Sequence, residues 1–278
     1  MKKINEEIVK ELENWFNNYV RKFKSGNLDR RQNIILKEEH TRRVCKEISG
    51  IGEEIGLSSE DLCLAKAVAL FHDIGRFEQY ARYQTFVDRD SVNHAVLGVK
   101  ILKKNGVLNR LDKSVQDLIL RVILYHNRFA LPQKETGECL FFAKLLRDAD
   151  KLDIWRVVTD YYRREDGKQN AAIELGLPDT PGISSDVYKD LIEKRMVDIA
   201  HLRNLNDFKL LQTGWIYDIN FMQTFRCIQE RGYLEMIRDV LPKSEEITEI
   251  FNVLHAYINK QIRKGRQATH YDSDADNA

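Results

Sequence analysis

Long apolar runs are missing from this 278-residue chain. No stretch approaches the roughly 18 consecutive apolar residues that a membrane-spanning helix needs, so no spanning segment is expected. An excess of one charge is missing too: 44 Lys and Arg stand against 43 Asp and Glu, a formal net charge of +1. Such a balance argues against a polyanion-binding surface, and so against a nucleic-acid scaffold, while leaving small phosphorylated ligands open. Cysteine is scarce, with Cys45, Cys63, Cys139 and Cys227 and no CxxC pair. These four fall inside helical patterns, which implies buried free thiols in a reducing, cytoplasmic compartment. The opening MKKINEEIVKELENW lacks an apolar core and a small-residue cleavage site, so no signal peptide is expected. Internal repeats are absent.

Proline is also rare, at four residues, two of which (Pro178 and Pro181) share one loop. That scarcity suits a chain that is helical almost throughout. Apolar spacing of the 3.6 type predicts helices over 4–24 and 33–56; in the second, Val44, Ile48, Ile51 and Ile55 share one face and His40 lies one turn upstream on it. Ser58, Ser59 and Glu60 open a helix over 59–74, and Gly75 is expected to end it. Residues 78–90 read as a polar loop, with Ser91 capping a helix to Lys104 that Asn105 and Gly106 stop. Helices follow over 112–127 and 138–162, then near 186–204, 218–240 and 245–264. The stretch 163–185 between them is the best candidate for a lid or a boundary. The expected fold is all-α, and the polar residues after Arg266 suggest a disordered tail.

What is present is a set of imidazoles and carboxylates on faces that should point inward. His72 and Asp73 follow the nearly unbroken apolar stretch Leu62–Phe71. An unpartnered buried carboxylate costs several kcal/mol, and a bound cation is the simplest compensation. His126 continues the stripe Val115, Ile119, Val122, and Asp150 continues Cys139, Ala143, Leu146. His40 and His94 complete the set. Imidazole with carboxylate suits Fe, Mn, Zn, Ni or Co, and carboxylates with water also hold Mg. Four histidines and two aspartates exceed what one ion uses, which suggests two ions with Asp73 between them. The plainer alternatives are core histidines and solvated charges; two carboxylates on apolar faces weigh against them. Asp148 and Asp153, which flank Asp150, read as surface or supporting groups. His201, His255 and His270 lie outside any motif and read as structural or exposed, and Trp15, Trp155 and Trp215 as core or interface aromatics.

The order His40, His72-Asp73, Asp150, with the local texts EEHTRRV, LFHDIGRF and LLRDADKLD, resembles the HD superfamily of metal-dependent phosphohydrolases. His94 in VNHA and His126 in LYHNR resemble the subset with a six-residue, two-metal site. The likeness covers roughly residues 34–160. It implies an HD-domain helical bundle, taken together with an N-terminal helix as 1–164; outside the likeness, the helical patterns suggest an extension over 165–266 packed on it and a tail over 267–278. It further implies that His40, His72, Asp73 and Asp150 hold one divalent ion, and Asp73, His94 and His126 a second, with Asp73 central to catalysis. The ions would activate a water to cleave a phosphate ester of a nucleotide or related small metabolite. Arg76, then Lys151, Arg128 and Arg43, are the candidates to bind the substrate phosphate, and Glu78 is a candidate proton donor. Two other readings stand beside this one: an HD-fold di-iron oxygenase, and a non-catalytic nucleotide-binding or interaction module. Amphipathic terminal helices are compatible with a homo-oligomer.

Overall fold

The computed structural model describes residues 3–163 and 174–275. Among them there is no β-strand, and the chain divides into two compact units, Met1–Asp153 and Ile154–Ala278. The all-α expectation is met.

In the first unit, α1 (Glu6–Arg21) starts where the Asn5 side chain accepts the backbone N–H of Ile8, and it buries Ile8, Leu12, Phe16 and Val20 on one stripe. α2 (Leu28–Glu54) starts at Asn27 and carries His40 in its middle. α3 (Ser59–Phe71) is capped by Ser58, whose hydroxyl accepts the N–H of Asp61, and nearly every residue from Cys63 onward is buried. Helix α2 lies along α3, α1 and α6 (Lys113–Tyr125) also pack on α3, and α4 (Ile74–Tyr83) packs on α2 and on α5 (His94–Lys104). Phe16 meets Phe77 edge-on at 5.8 Å, which fixes α1 over α4 through burial of two rings. α7 (Gly137–Tyr162) contributes 137–153 to this unit and 154–162 to the second.

Three local expectations are corrected here. Gly75 does not end a helix: α3 stops at Phe71, and Gly75 lies inside α4. A Cβ at Gly75 would sit 2.1 Å from the His94 carbonyl oxygen and 2.8 Å from the Gly98 nitrogen. The glycine is therefore there for close helix approach, not for a left-handed cap. The helical pattern consequently continues to Tyr83, shortening the loop expected over 78–90. Ser91 does not cap α5; Asn93 does, accepting the N–H of Val96 at 3.0 Å. Ser91 instead donates to the Val87 carbonyl and accepts from Gln79.

In the second unit, α8 (Ser185–Ile192), α9 (Leu205–Gly214), α10 (Met222–Arg231), α11 (Tyr233–Asp239) and α12 (Glu245–Ala275) follow. The helix expected over 186–204 ends at Ile192, and Lys194 takes a left-handed φ of 60°. The one expected over 218–240 is broken at Gly232, whose φ of 65° terminates α10 and redirects the chain into α11. Helix α12 packs on α8, α10 and α11. Its backbone is helical to Ala275, past the start expected for a disordered tail; neither Gly nor Pro interrupts 267–275. Residues 164–173 of the suspected lid, 276–278 of the tail, and the side chain of His270 lie outside what is described. Trp155 is fully buried and donates its indole N–H to the Gln212 carbonyl. His201 Nδ1–H donates to the Asp190 carboxylate at 2.6 Å, consistent with a structural residue.

Candidate metal centre

Five separate helical segments of the first unit bring their ligand-type side chains to one place. His40 comes from α2, His72 and Asp73 from the joint between α3 and α4, His94 from the first turn of α5, His126 from the residue just after α6, and Asp150 from α7. The joint matters. Asp73 occupies the residue preceding α4, where an aspartate ordinarily caps the helix, yet its side chain makes no capping bond. Both of its carboxylate oxygens face the cluster instead.

The six residues form two groups whose donor atoms within each group lie within 4.8 Å of one another: His40, His72 and Asp150, and Asp73, His94 and His126. In the first, His40 Nε2 is 3.1 Å from Asp150 Oδ1 and 3.4 Å from His72 Nε2, and His72 Nε2 is 3.7 Å from the same Asp150 oxygen. In the second, His94 Nε2 is 3.0 Å from His126 Nε2 and 3.3 Å from Asp73 Oδ1. Asp73 joins the two. Its Oδ1 is turned to His94 and His126, and its Oδ2 lies 3.7 Å from both His40 and His72.

The other ring nitrogens decide what these imidazoles offer. His72 Nδ1–H donates to the Ala69 carbonyl at 2.7 Å and His126 Nδ1–H to the Ile123 carbonyl at 2.6 Å. His40 Nδ1–H donates to Asp153 at 2.7 Å, and His94 Nδ1–H to Asp88 at 2.8 Å. Each outward nitrogen thus donates, and each ring turns its Nε2 to the centre. Lone pairs 3.0 and 3.4 Å apart repel unless a proton or a cation stands between them. The donor set, imidazoles with carboxylates, fits one or two divalent cations.

The protonation states of His72, His94 and the two carboxylates agree, and that of His40 in the metal-free chain does not. Burial pulls His72 down to about 4, against the opposing pull of Asp73 and Asp150. Burial pulls His94 down to about 3, aided by Arg76. For His40 burial also acts downward, but hydrogen bonds to Asp150 and Asp153 prevail and raise it. Burial pushes Asp73 upward, yet the Lys37 ammonium, His72 and Arg76 hold it well below the usual carboxylate range. Asp150 is depressed as well: burial is outweighed by His40 and His72.

The expected phosphate-binding cations divide. Arg76 stays beside the cluster: its Nε is 3.4 Å from Asp73 Oδ1, and Nη1 donates to Asp88 at 2.9 Å, to Gln79 at 3.0 Å and to the Phe86 carbonyl. Arg43 is committed to Asp153 through bonds of 2.5 and 3.1 Å. Lys151 is buried, with Nζ 3.4 Å from the Arg147 carbonyl. Arg128 is exposed, its guanidinium 4.6 Å from the centre of the Tyr125 ring. Glu78 accepts from Tyr19 at 3.2 Å and pairs with Arg82, so its partners lie outside the cluster.

Three groups escaped the sequence reading or were undervalued by it. Asp153 is fully buried and anchors both His40 and Arg43. Asp88 accepts from His94, Arg76, Gln79 and Asn127, and these contacts hold it at about 2 in spite of burial. Lys37, one turn before His40, donates to Asp73 Oδ2 at 2.8 Å. The i−3 spacing from His40 was a usable signal for Lys37; Asp88 sat in a polar stretch that offered none.

Residues 38–155 match the family model of the HD domain, which spans all six residues. No curated protein and no solved structure matches this chain. Over that stretch the chain is similar to the HD domain, an all-helical fold whose superfamily comprises metal-dependent phosphohydrolases.

Proposed function

We propose that the HD domain of this chain cleaves a phosphate ester of a nucleotide or related small metabolite, using divalent cations held by His40, His72, Asp73, His94, His126 and Asp150. The observation that carries the reading is the posture of Asp73: it gives up a helix cap and turns one oxygen to each imidazole pair. Divalent ions held there would lower the pKa of a coordinated water toward neutrality and polarise a phosphoryl oxygen.

The chain's own residues supply the rest. Asp153 and Asp88 hold the rings of His40 and His94, and two backbone carbonyls hold those of His72 and His126, so all four Nε2 atoms stay aimed at the centre. Asp150 is the most open of the six, with its side chain 20% exposed against 5% or less for the others that bear on it. Substrate reaches the centre from that side. Arg76 stands on Asp73 with a fork of N–H groups suited to phosphoryl oxygens, and the exposed Arg128 is free to follow a longer ligand at the rim.

The test is hydrolysis with Mn, Fe, Co, Ni, Zn and Mg in turn, read as inorganic phosphate released from nucleotides and sugar phosphates and as the linear phosphomonoester product from cyclic dinucleotides. Turnover with at least one ion, abolished together with metal content in Asp73→Ala, is expected. Oxygen uptake by iron-loaded protein without phosphate release, or a nucleotide that binds tightly and survives with every ion, would replace this reading by the oxygenase or the binding module.

A further inference from the structure

We propose that Lys37 is a substrate contact, the partner of Arg76 in a two-cation clamp on the phosphoryl group; this rests on the phosphohydrolase reading. Lys37 ends on Asp73 Oδ2 and Arg76 Nε approaches Oδ1, so the two cations flank the shared carboxylate from its two oxygens. Both lie against one aromatic wall: Lys37 Nζ is 5.5 Å and the Arg76 guanidinium 6.0 Å from the centre of the Phe86 ring. That ring is itself held by Tyr80 at 4.6 Å. Lys37 therefore has a defined place and is not a mobile surface lysine.

Its hydrogen bonding is unfinished. An ammonium carries three donors, and Lys37 uses one, on Asp73. Arg76 Nε is buried and has no hydrogen-bond partner. N–H groups without a protein acceptor thus flank the oxygens that the two donor groups share. The Lys37 side chain is 19% exposed and that of Arg76 16%, close to the 20% of Asp150, so solvent touches all three side chains, the Arg76 Nε itself being buried. A tetrahedral oxyanion entering beside Asp150 meets an ammonium and a guanidinium set apart by one carboxylate. It offers the acceptors that both lack, as charge-assisted hydrogen bonds.

The competing role is structural: Lys37 would merely hold Asp73 in place. The two are separated with the full chain loaded with Mn, using inorganic phosphate as the probe. Titration calorimetry reads the phosphate Kd, and elemental analysis reads the metal bound per chain. Lys37→Met should keep wild-type metal content and weaken phosphate by about ten- to a hundredfold, with Lys37→Arg recovering part of the loss. In turnover the Lys37→Met defect should appear in KM with the best phosphate ester as well as in kcat. Phosphate affinity unchanged in Lys37→Met while wild type binds phosphate overturns the clamp and leaves the phosphohydrolase reading standing. Metal content falling to that of Asp73→Ala also overturns it, in favour of the structural role. Metal-loaded wild type that binds no phosphate overturns both.

Discussion

Asp73 joins the two donor groups: His94 and His126 lie toward one of its oxygens, His40 and His72 toward the other. A buried carboxylate survives only with compensation, and Asp73 has Lys37 on one oxygen and Arg76 near the other. Breaking one partner from such a buried pair typically costs about 3–5 kcal/mol, so in the absence of divalent ions the ammonium matters to Asp73. The histidines make the opposite demand, since His72 and His94 are buried and held neutral, at about 4 and about 3. Unfolded, each would take up a proton near pH 6.5, so between there and pH 4 the unfolded chain binds more protons and stability falls as pH falls. His40, raised instead, keeps its full contribution below 6.5 and adds no slope in that window, and the depressed carboxylates lose theirs only below about 4. Chelator-treated protein should therefore lose several kcal/mol from pH 6.5 to 4, read as a falling Tm, and His94→Gln should flatten part of that slope. A Tm independent of pH across this window would show that the imidazoles are not held neutral.

Helix α4 and helix α5 determine whether the second donor group exists at all. Their contact is close enough that a Cβ on Gly75 would overlap the His94 carbonyl, and a Cβ on Gly98 would lie 3.0 Å from Ile74 Cγ2. Two glycines thus let the backbone carrying His94 come up against the backbone following Asp73, leaving 3.3 Å between His94 Nε2 and Asp73 Oδ1. Gly75→Ala should push α5 away, costing about 2–3 kcal/mol and lowering Tm by roughly 5–10 °C. The His94–His126 group should lose its ion before the His40–His72–Asp150 group does, which metal titration reads as one tight site remaining. Two unaltered sites in Gly75→Ala would mean that the close approach does not set the geometry.

Across the chain, what could be read in advance follows from periodicity and chemistry. Helix α7 is legible to within a residue because the 25 residues that follow Gly137 in it contain no Pro or Gly and carry an unbroken pattern with Asp150 on its buried stripe. His40, His72, Asp73, His94, His126 and Asp150 announced themselves as ligand types out of place on apolar faces. The breaks did not: the joint at His72–Asp73 interrupts an apolar run with no Gly or Pro at the break, and Gly232 looked like any helix-interior glycine until its left-handed φ appeared. The supporting groups stayed hidden for a different reason. A lysine in LKEEH or an aspartate in VDRD has the composition of solvated surface, and only the tertiary fold reveals that Lys37 and Asp88 face inward. Among the described residues no helix is long and apolar enough to cross a membrane, in keeping with the scarcity of long apolar runs.

Divalent metal bound per chain, measured by elemental analysis of Mn-loaded protein together with its electron paramagnetic resonance spectrum, bears most directly on the shared role of Asp73. Two Mn ions per chain with the exchange coupling of a pair about 3.5–4 Å apart are expected, falling to one uncoupled ion in a His94→Ala, His126→Ala double variant and to none in Asp73→Ala. Wild-type protein that binds no Mn, or Asp73→Ala protein that keeps two coupled ions, would contradict the account.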